Sequence, residues 1–186
     1  AISRLSLHAP LPGGDDGDSQ PQGRLSVKVR AVATSETRGS SGWIRFMEVI
    51  SRRPAPHCEV GLLLSAVGEV EFRRTASASL RPAATGEGEE QTGAEDWQSQ
   101  LHLCWGEDGS GEELSFPVAA EAFEASTTRS VRVECRGCGV AEMNLEQAPP
   151  SNRKWRLETW LELADEAGHH AASLQAELRW LPPARP

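Results

Sequence analysis

The segment RLSVKVRAV (24–32) sets Leu25, Val27, Val29 and Ala31 on one side of the chain and Lys28 and Arg30 on the other. That period of two is the signature of a half-buried β-strand, because successive side chains of an extended backbone point to opposite faces. The same alternation returns along the chain, so the fold has to bury many short apolar stripes at once.

CEVGLLLSAV (58–67) is an almost continuous apolar run suited to a central strand, and Gly68 offers a tight turn into EVEFRRTASASL (69–80). In the second run Val70, Phe72, Ala76, Ala78 and Leu80 share the inward phase, while Glu71, Arg73, Thr75, Ser77 and Ser79 share the outward one, which predicts a β-hairpin. WQSQLHLCW (97–105) alternates with Trp97, Leu101, Leu103 and Trp105 inward, and GEDGSGE joins it to EELSFPVA, predicting a second hairpin. SVRVECRG (130–137) and VAEMNLEQ (140–147) are strands separated by a very short connection, and Pro149-Pro150 ends them. RKWRLETWLELAD (153–165) fits either period, but its Trp and Thr content favours a strand. SLQAELRWL (173–181) places Leu174, Ala176, Leu178 and Trp180 on one face before three closing prolines. GWIRFMEVIS (42–51) fits strand or helix and is expected as a strand, and AAEAFEAST (119–127) as one helical turn.

Residues 9–23 and 82–96 carry no periodic run of large apolar residues. Residues 1–23 are expected as a lead-in, flexible on account of the Pro, Gly and Asp of 9–23, and 82–96 as a mobile acidic insertion. One domain is therefore expected over 24–183, with no internal repeat. With eight to ten strands, no β-α-β alternation and no long helix, the predicted class is all-β: an antiparallel two-sheet β-sandwich of about eight strands.

Composition limits what such a domain does. A mean hydropathy of −0.45 and a 38% hydrophobic share fit a chain in which tails and loops bury little. No run approaches the ~18 apolar residues of a membrane-spanning helix and no basic-then-apolar leader opens the chain, so a soluble, cytoplasmic protein is expected. A start without methionine suggests a piece of a larger protein. A net charge of −8 opposes binding to phosphate backbones, so nucleic acid is not an expected partner. Four cysteines, Cys58, Cys104, Cys135 and Cys138, are too few for a disulfide scaffold and read as reduced thiols.

The lone first strand, the central apolar pair, Trp97 opening a strand, LSFPV, VRVECR, KWRLETWLELAD and LQAELRWLP together resemble the pattern of C2 domains, over residues 24–183. The main rival is an immunoglobulin-like domain with Cys58 and Cys135 flanking a core tryptophan, a scheme that leaves the tryptophan-rich C-terminal strand pair without a place. Typical C2 domains hold calcium on aspartates at one end of the sandwich. Here residues 33–57 offer only Glu36 and Glu48, and the CRGCG connection offers no acid, so no calcium and no metal are expected. Asp15, Asp16 and Asp18 lack a calcium-loop pattern, and Cys135-x-x-Cys138 lacks a second ligand pair at zinc spacing.

No nucleophile elbow, phosphate-cradling glycine loop or metalloprotease helix is present, so no enzyme and no cofactor are expected. The resemblance implies a calcium-independent module of a larger intracellular protein, a protein-interaction adaptor or scaffold of the kind found in centrioles, cilia or membrane trafficking. Its alternative is a peripheral module binding anionic phospholipids. The binding candidates are basic: Arg73, Arg74 and Arg81 on one strand, Lys154 and Arg156 in a shared outward phase, and Arg52 and Arg53 at a loop. The expected partner is another protein, or otherwise anionic membrane lipid at a membrane or cytoskeletal surface.

Overall fold

The computed structural model describes residues 22–34, 40–51, 55–68, 70–82, 101–145 and 150–183. The expectations for the lead-in, Arg52, Arg53, Trp97 and the bulk of the acidic insertion lie outside them. The described elements are β1 (Gln22–Ala33), α1 (Ser41–Ser51), β2 (Cys58–Leu64), β3 (Val70–Arg74), β4 (Ser79–Pro82), β5 (Leu101–Cys104), β6 (Glu112–Ala119), α2 (Ala120–Ala125), β7 (Arg129–Cys135), β8 (Gly139–Asn144), β9 (Trp155–Ala164) and β10 (His170–Leu181). All strand pairings among them are antiparallel, so the all-β class stands.

The strands form one sheet in the order β3-β2-β7-β8-β9-β10-β1-β5-β4, with β6 also on β1. This sheet curls over itself, which is how the expected sandwich is built. The layer β3-β2-β7-β8 meets the layer carrying β9, β10 and β1 through a single ladder pair, Val140 with Ala164. Gly139 adopts φ +125° at this corner, and a Cβ there would lie 2.5 Å from the Ala164 carbonyl oxygen, so only glycine lets the two strands touch.

The stripes read from the sequence lie side by side on the inner face of each layer. Leu25, Val27 and Val29 pair with Trp180, Leu178 and Ala176, while Val60 and Leu62 pair with Val133 and Val131, all of them buried. Burial at roughly 25 cal/mol per Å² of apolar surface is what holds the layers together. The two buried indoles satisfy their N–H groups: Trp105 donates to the Ala76 carbonyl at 3.1 Å and Trp180 to the Ser151 carbonyl at 2.6 Å. Phe123 of α2 stacks on Trp180 with centroids 4.8 Å apart, and the Arg129 guanidinium covers its ring at 4.9 Å.

Several expectations are corrected. Residues 41–51 form a helix: the Ser40 hydroxyl accepts the Trp43 amide at 3.1 Å as an N-cap, and Phe46 and Val49, three apart, are buried. The proposed hairpin of 97–105 with EELSFPVA does not form. β5 and β6 lie end to end along the same edge of β1, Leu103 opposite Val32 and Leu114 opposite Val27, with 106–111 looping out between them. The run 69–80 is two strands, β3 on β2 and β4 on β5. In β1 a bulge between Val29 and Ala31 changes phase, so Val32, opposite Leu174, takes the inward place expected of Ala31.

The phase of β3 is inverted. Arg73 lies opposite Val60 and Glu71 opposite Leu62, on the inner face, whereas Phe72 lies opposite Gly61 on the outer face and is 60% exposed. Gly61 has no side chain to compete with this ring: a Cβ there would fall 2.5 Å from it. β3 ends the sheet, and charges pointing inward from an end strand keep it from pairing with another chain.

Candidate functional site: a cationic face around Glu177

The outer face of β9-β10-β1 is organised by ladder pairs that stack charge on charge. Arg156 lies opposite Arg179, Glu158 opposite Glu177, and Glu177 opposite Lys28. The bulge in β1 adds Arg30 to this surface. Three guanidinium groups therefore converge on the Glu177 carboxylate: Arg30 at 2.5 Å, Arg179 at 2.7 Å and Arg156 at 2.9 Å. Arg30 also reaches Glu158 at 3.4 Å.

Glu177 lies on an outer face, yet its side chain is only 1% exposed because the arginines cover it. Burial opposes its ionisation. The hydrogen bonds from Arg30 and Arg179 and the charges of Arg179 and Arg156 outweigh that penalty and hold the carboxyl below its ordinary value. One anion thus holds three cations together. On the outer positions of β9, β10, β1 and the adjoining β6, Arg24, Lys28, Arg30, Arg156 and Arg179 stand against Glu113, Glu158, Glu162 and Glu177, a slightly positive surface on a chain whose net charge is −8.

One donor on this face lacks an acceptor among the described residues: the Arg30 Nε is buried without a hydrogen-bond partner, a condition native structures seldom leave uncompensated. The Trp155 Nε1 is in the same condition on the inner face, where Trp155 lies opposite Trp180. At the end of the face, Lys154, Trp155, Arg156, Arg179, Trp180 and Leu181 line a shallow cleft of about 290 Å³. Anionic oxygens suit such a setting, since a guanidinium fork matches a carboxylate or phosphate. Trp160, 50% exposed on the same face, adds an apolar contact.

Of the basic candidates, Lys154 and Arg156 are brought together at this cleft. Arg73 is not on an outer basic patch: it pairs with Glu71 and lies over the Phe116 ring at 5.4 Å on the inner face. Arg74 points to the other side and pairs with Glu59. Arg81 is in β4, opposite His102. Arg30, Arg179 and Glu177 were missed as site residues. The alternation of β1 and β10 marks each as outward, but their meeting depends on the first and last strands pairing.

Among the described residues, no group of three or more His, Cys, Asp and Glu side chains is placed to hold a metal ion. Cys58 lies directly opposite Cys135, and Cys135 and Cys138 are hydrogen-bonded neighbours. All are free thiols. No described helix is long and apolar enough to cross a membrane.

These features define an antiparallel all-β module with a cationic outer face. No family model matches the chain, and no curated protein matches it. A solved structure described by the words "CC2D1B coordinates ESRCT-III activity during the mitotic reformation of the nuclear envelope" is similar, with a TM-score of 0.41 and 10% identity, over 89% of this chain and 57% of that one. The chain thus spans little more than half of the length of that solved chain.

Proposed function

We propose that this chain is a calcium-independent, C2-like binding module of a larger intracellular protein, an adaptor that engages an acidic segment of another protein through the face around Glu177 and performs no catalysis. The observation carrying this reading is the convergence of Arg30, Arg156 and Arg179 on one carboxylate. Preorganised in this way, the guanidinium groups lose little side-chain freedom when an acidic ligand arrives. The Arg30 Nε, unpartnered among the described residues, favours a ligand that supplies acceptor oxygens.

Anionic phospholipid is the second reading, because the same cations suit a phosphate headgroup. Glu158 and Glu162 stand among them, which disfavours a uniformly anionic sheet more than a peptide with discrete acids. The test is fluorescence anisotropy with a labelled hexaglutamate peptide, beside cosedimentation with phosphatidylserine and phosphoinositide vesicles, each over a salt series and with and without calcium. Peptide binding that weakens with salt, ignores calcium and drops at least about five-fold in Lys154→Glu supports the adaptor reading. Vesicle binding without peptide binding replaces it with the lipid reading. Calcium-dependent binding, or no binding to either probe, overturns both.

A further inference from the structure

We propose that β9 pairs edge to edge with β9 of a second copy of this chain, antiparallel about a two-fold axis at Thr159. β8 meets β9 at one ladder pair only, Val140 with Ala164, so from Arg156 to Glu162 the β8 side of β9 has no ladder partner among the described residues. The other side is paired with β10 throughout. A strand with one open edge presents unpaired backbone N–H and C=O groups, and folds commonly protect such an edge with proline, a bulge or a cover. Residues 156–162 contain no proline, and their ladder to β10 runs without a register shift. Both faces of this edge are also apolar. Trp155, Leu157, Thr159 and Leu161 share the inward phase, opposite the buried Trp180, Leu178, Ala176 and Leu174, yet Leu157 is 44% exposed where the β8 ladder has ended. Trp160, in the outward phase, is 50% exposed, so two of the six exposed large apolar side chains among the described residues belong to this one strand.

The charge order of the strand selects a second copy as the occupant. About an axis at Thr159, Arg156 falls opposite Glu162 of the second copy and Glu162 opposite its Arg156, each Leu157 meets a Leu161, and the two Thr159 residues face one another. Opposite charges and apolar pairs that face across an antiparallel ladder stabilise it. Other registers fail. An axis at Glu158 sets that carboxylate against its own mate, one at Trp160 sets Glu158 against Glu162, and one at Leu161 requires Ala164, which β8 already holds. An axis at Leu157 shortens the ladder within β9 to Trp155–Thr159. An axis between two residues sets the inward phase of one copy against the outward phase of the other. The same surface serves both copies, the isologous arrangement of two-fold dimers. Seven paired residues a side, 156–162, make a small interface, so a dissociation constant of about 10–100 μM is expected. This dimer goes beyond the binding reading and stands without it.

Sedimentation velocity of the full chain from about 1 to 500 μM measures the association, and near-ultraviolet circular dichroism reports that each variant is folded. Reversible dimer formation that weakens with salt is expected. Glu162→Arg changes a side chain that is 74% exposed, leaves the monomer intact, and is expected to weaken the dimer at least about ten-fold by setting a like charge opposite Arg156. Register is read by oxidation with diamide. Thr159→Cys is expected to cross-link to its own mate across the axis, whereas Leu157→Cys, displaced from its mate by four residues or about 13 Å, is not. Peptide mass spectrometry separates that bond from any made by the four native thiols. A chain that stays monomeric over the whole range overturns the proposal. So does a dimer that tolerates Glu162→Arg, or one that cross-links equally through both introduced cysteines, since another surface or register then joins the copies.

Discussion

Arg30 of β1 and Glu177 of β10 meet at 2.5 Å although 147 residues separate them in the chain. The contact couples the first and last strands of the fold through a covered carboxylate.

Glu177→Gln therefore strips three guanidinium groups of their shared anion. A buried pair broken on one side costs about 3–5 kcal/mol, but these arginines are partly exposed, so a loss of about 1–3 kcal/mol is expected in urea unfolding. The pH dependence has a definite sign. Because the folded-state pKa of Glu177 is lowered, its stabilisation is complete above the ordinary carboxyl value and is lost as the pH falls through the lowered one. The variant should show a correspondingly flatter loss of stability on acidification, and parallel acid titrations of the two proteins would refute the account.

Gly139→Ala places a Cβ against the Ala164 carbonyl at the corner joining the layers, with φ at +125°. A destabilisation of about 2–3 kcal/mol or more is expected. Gly68→Ala is the control. Its φ is +69° and nothing lies within 4 Å of the added Cβ, so about 1 kcal/mol is expected from backbone conformation alone. Equal midpoint shifts in denaturant would show that the corner contact is unimportant.

Phe72→Ser is expected to cost less than about 1 kcal/mol, because the ring is 60% exposed over Gly61. Trp105→Ala, at a buried indole whose N–H is hydrogen-bonded, is expected to cost about 3–5 kcal/mol. A large loss in the Phe72 variant would restore the phase that simple alternation assigns to β3.

The Cys138 thiol is pushed far up by its hydrogen bond with Cys135, then by burial and by the neighbouring thiol's charge. Cys135 is raised as well: the hydrogen bond with Cys138 acts to lower it, and the one with Cys58, together with burial, prevails. Since the thiolate is the reactive form, iodoacetamide at pH 8 should modify both at least about ten times more slowly in the folded protein than in urea. Mass spectrometry of the labelled peptides reads this directly, and rapid native labelling of Cys138 would contradict it.

The sequence by itself determined the strands whose alternation is long and unbroken. β1, β2, β7 and β10 follow from side chains that alternate or run apolar over many positions, because the pleat imposes that pattern locally, whereas β9 fits either period and rests on its Trp and Thr content. It also marked Lys154 and Arg156 as outward. Tertiary structure decided what local chemistry leaves balanced. Residues 41–51 fit both periods until Ser40 caps the first turn and Phe46 and Val49 find a core. The phase of β3 turned on Gly61, whose missing side chain makes room for Phe72 on the outside. The end-to-end placement of β5 and β6, and the meeting of Arg30, Arg156 and Arg179 at Glu177, depend on which strands become neighbours. Pairing across more than a hundred residues is fixed by the collective burial of both layers, and no short stretch of sequence encodes it.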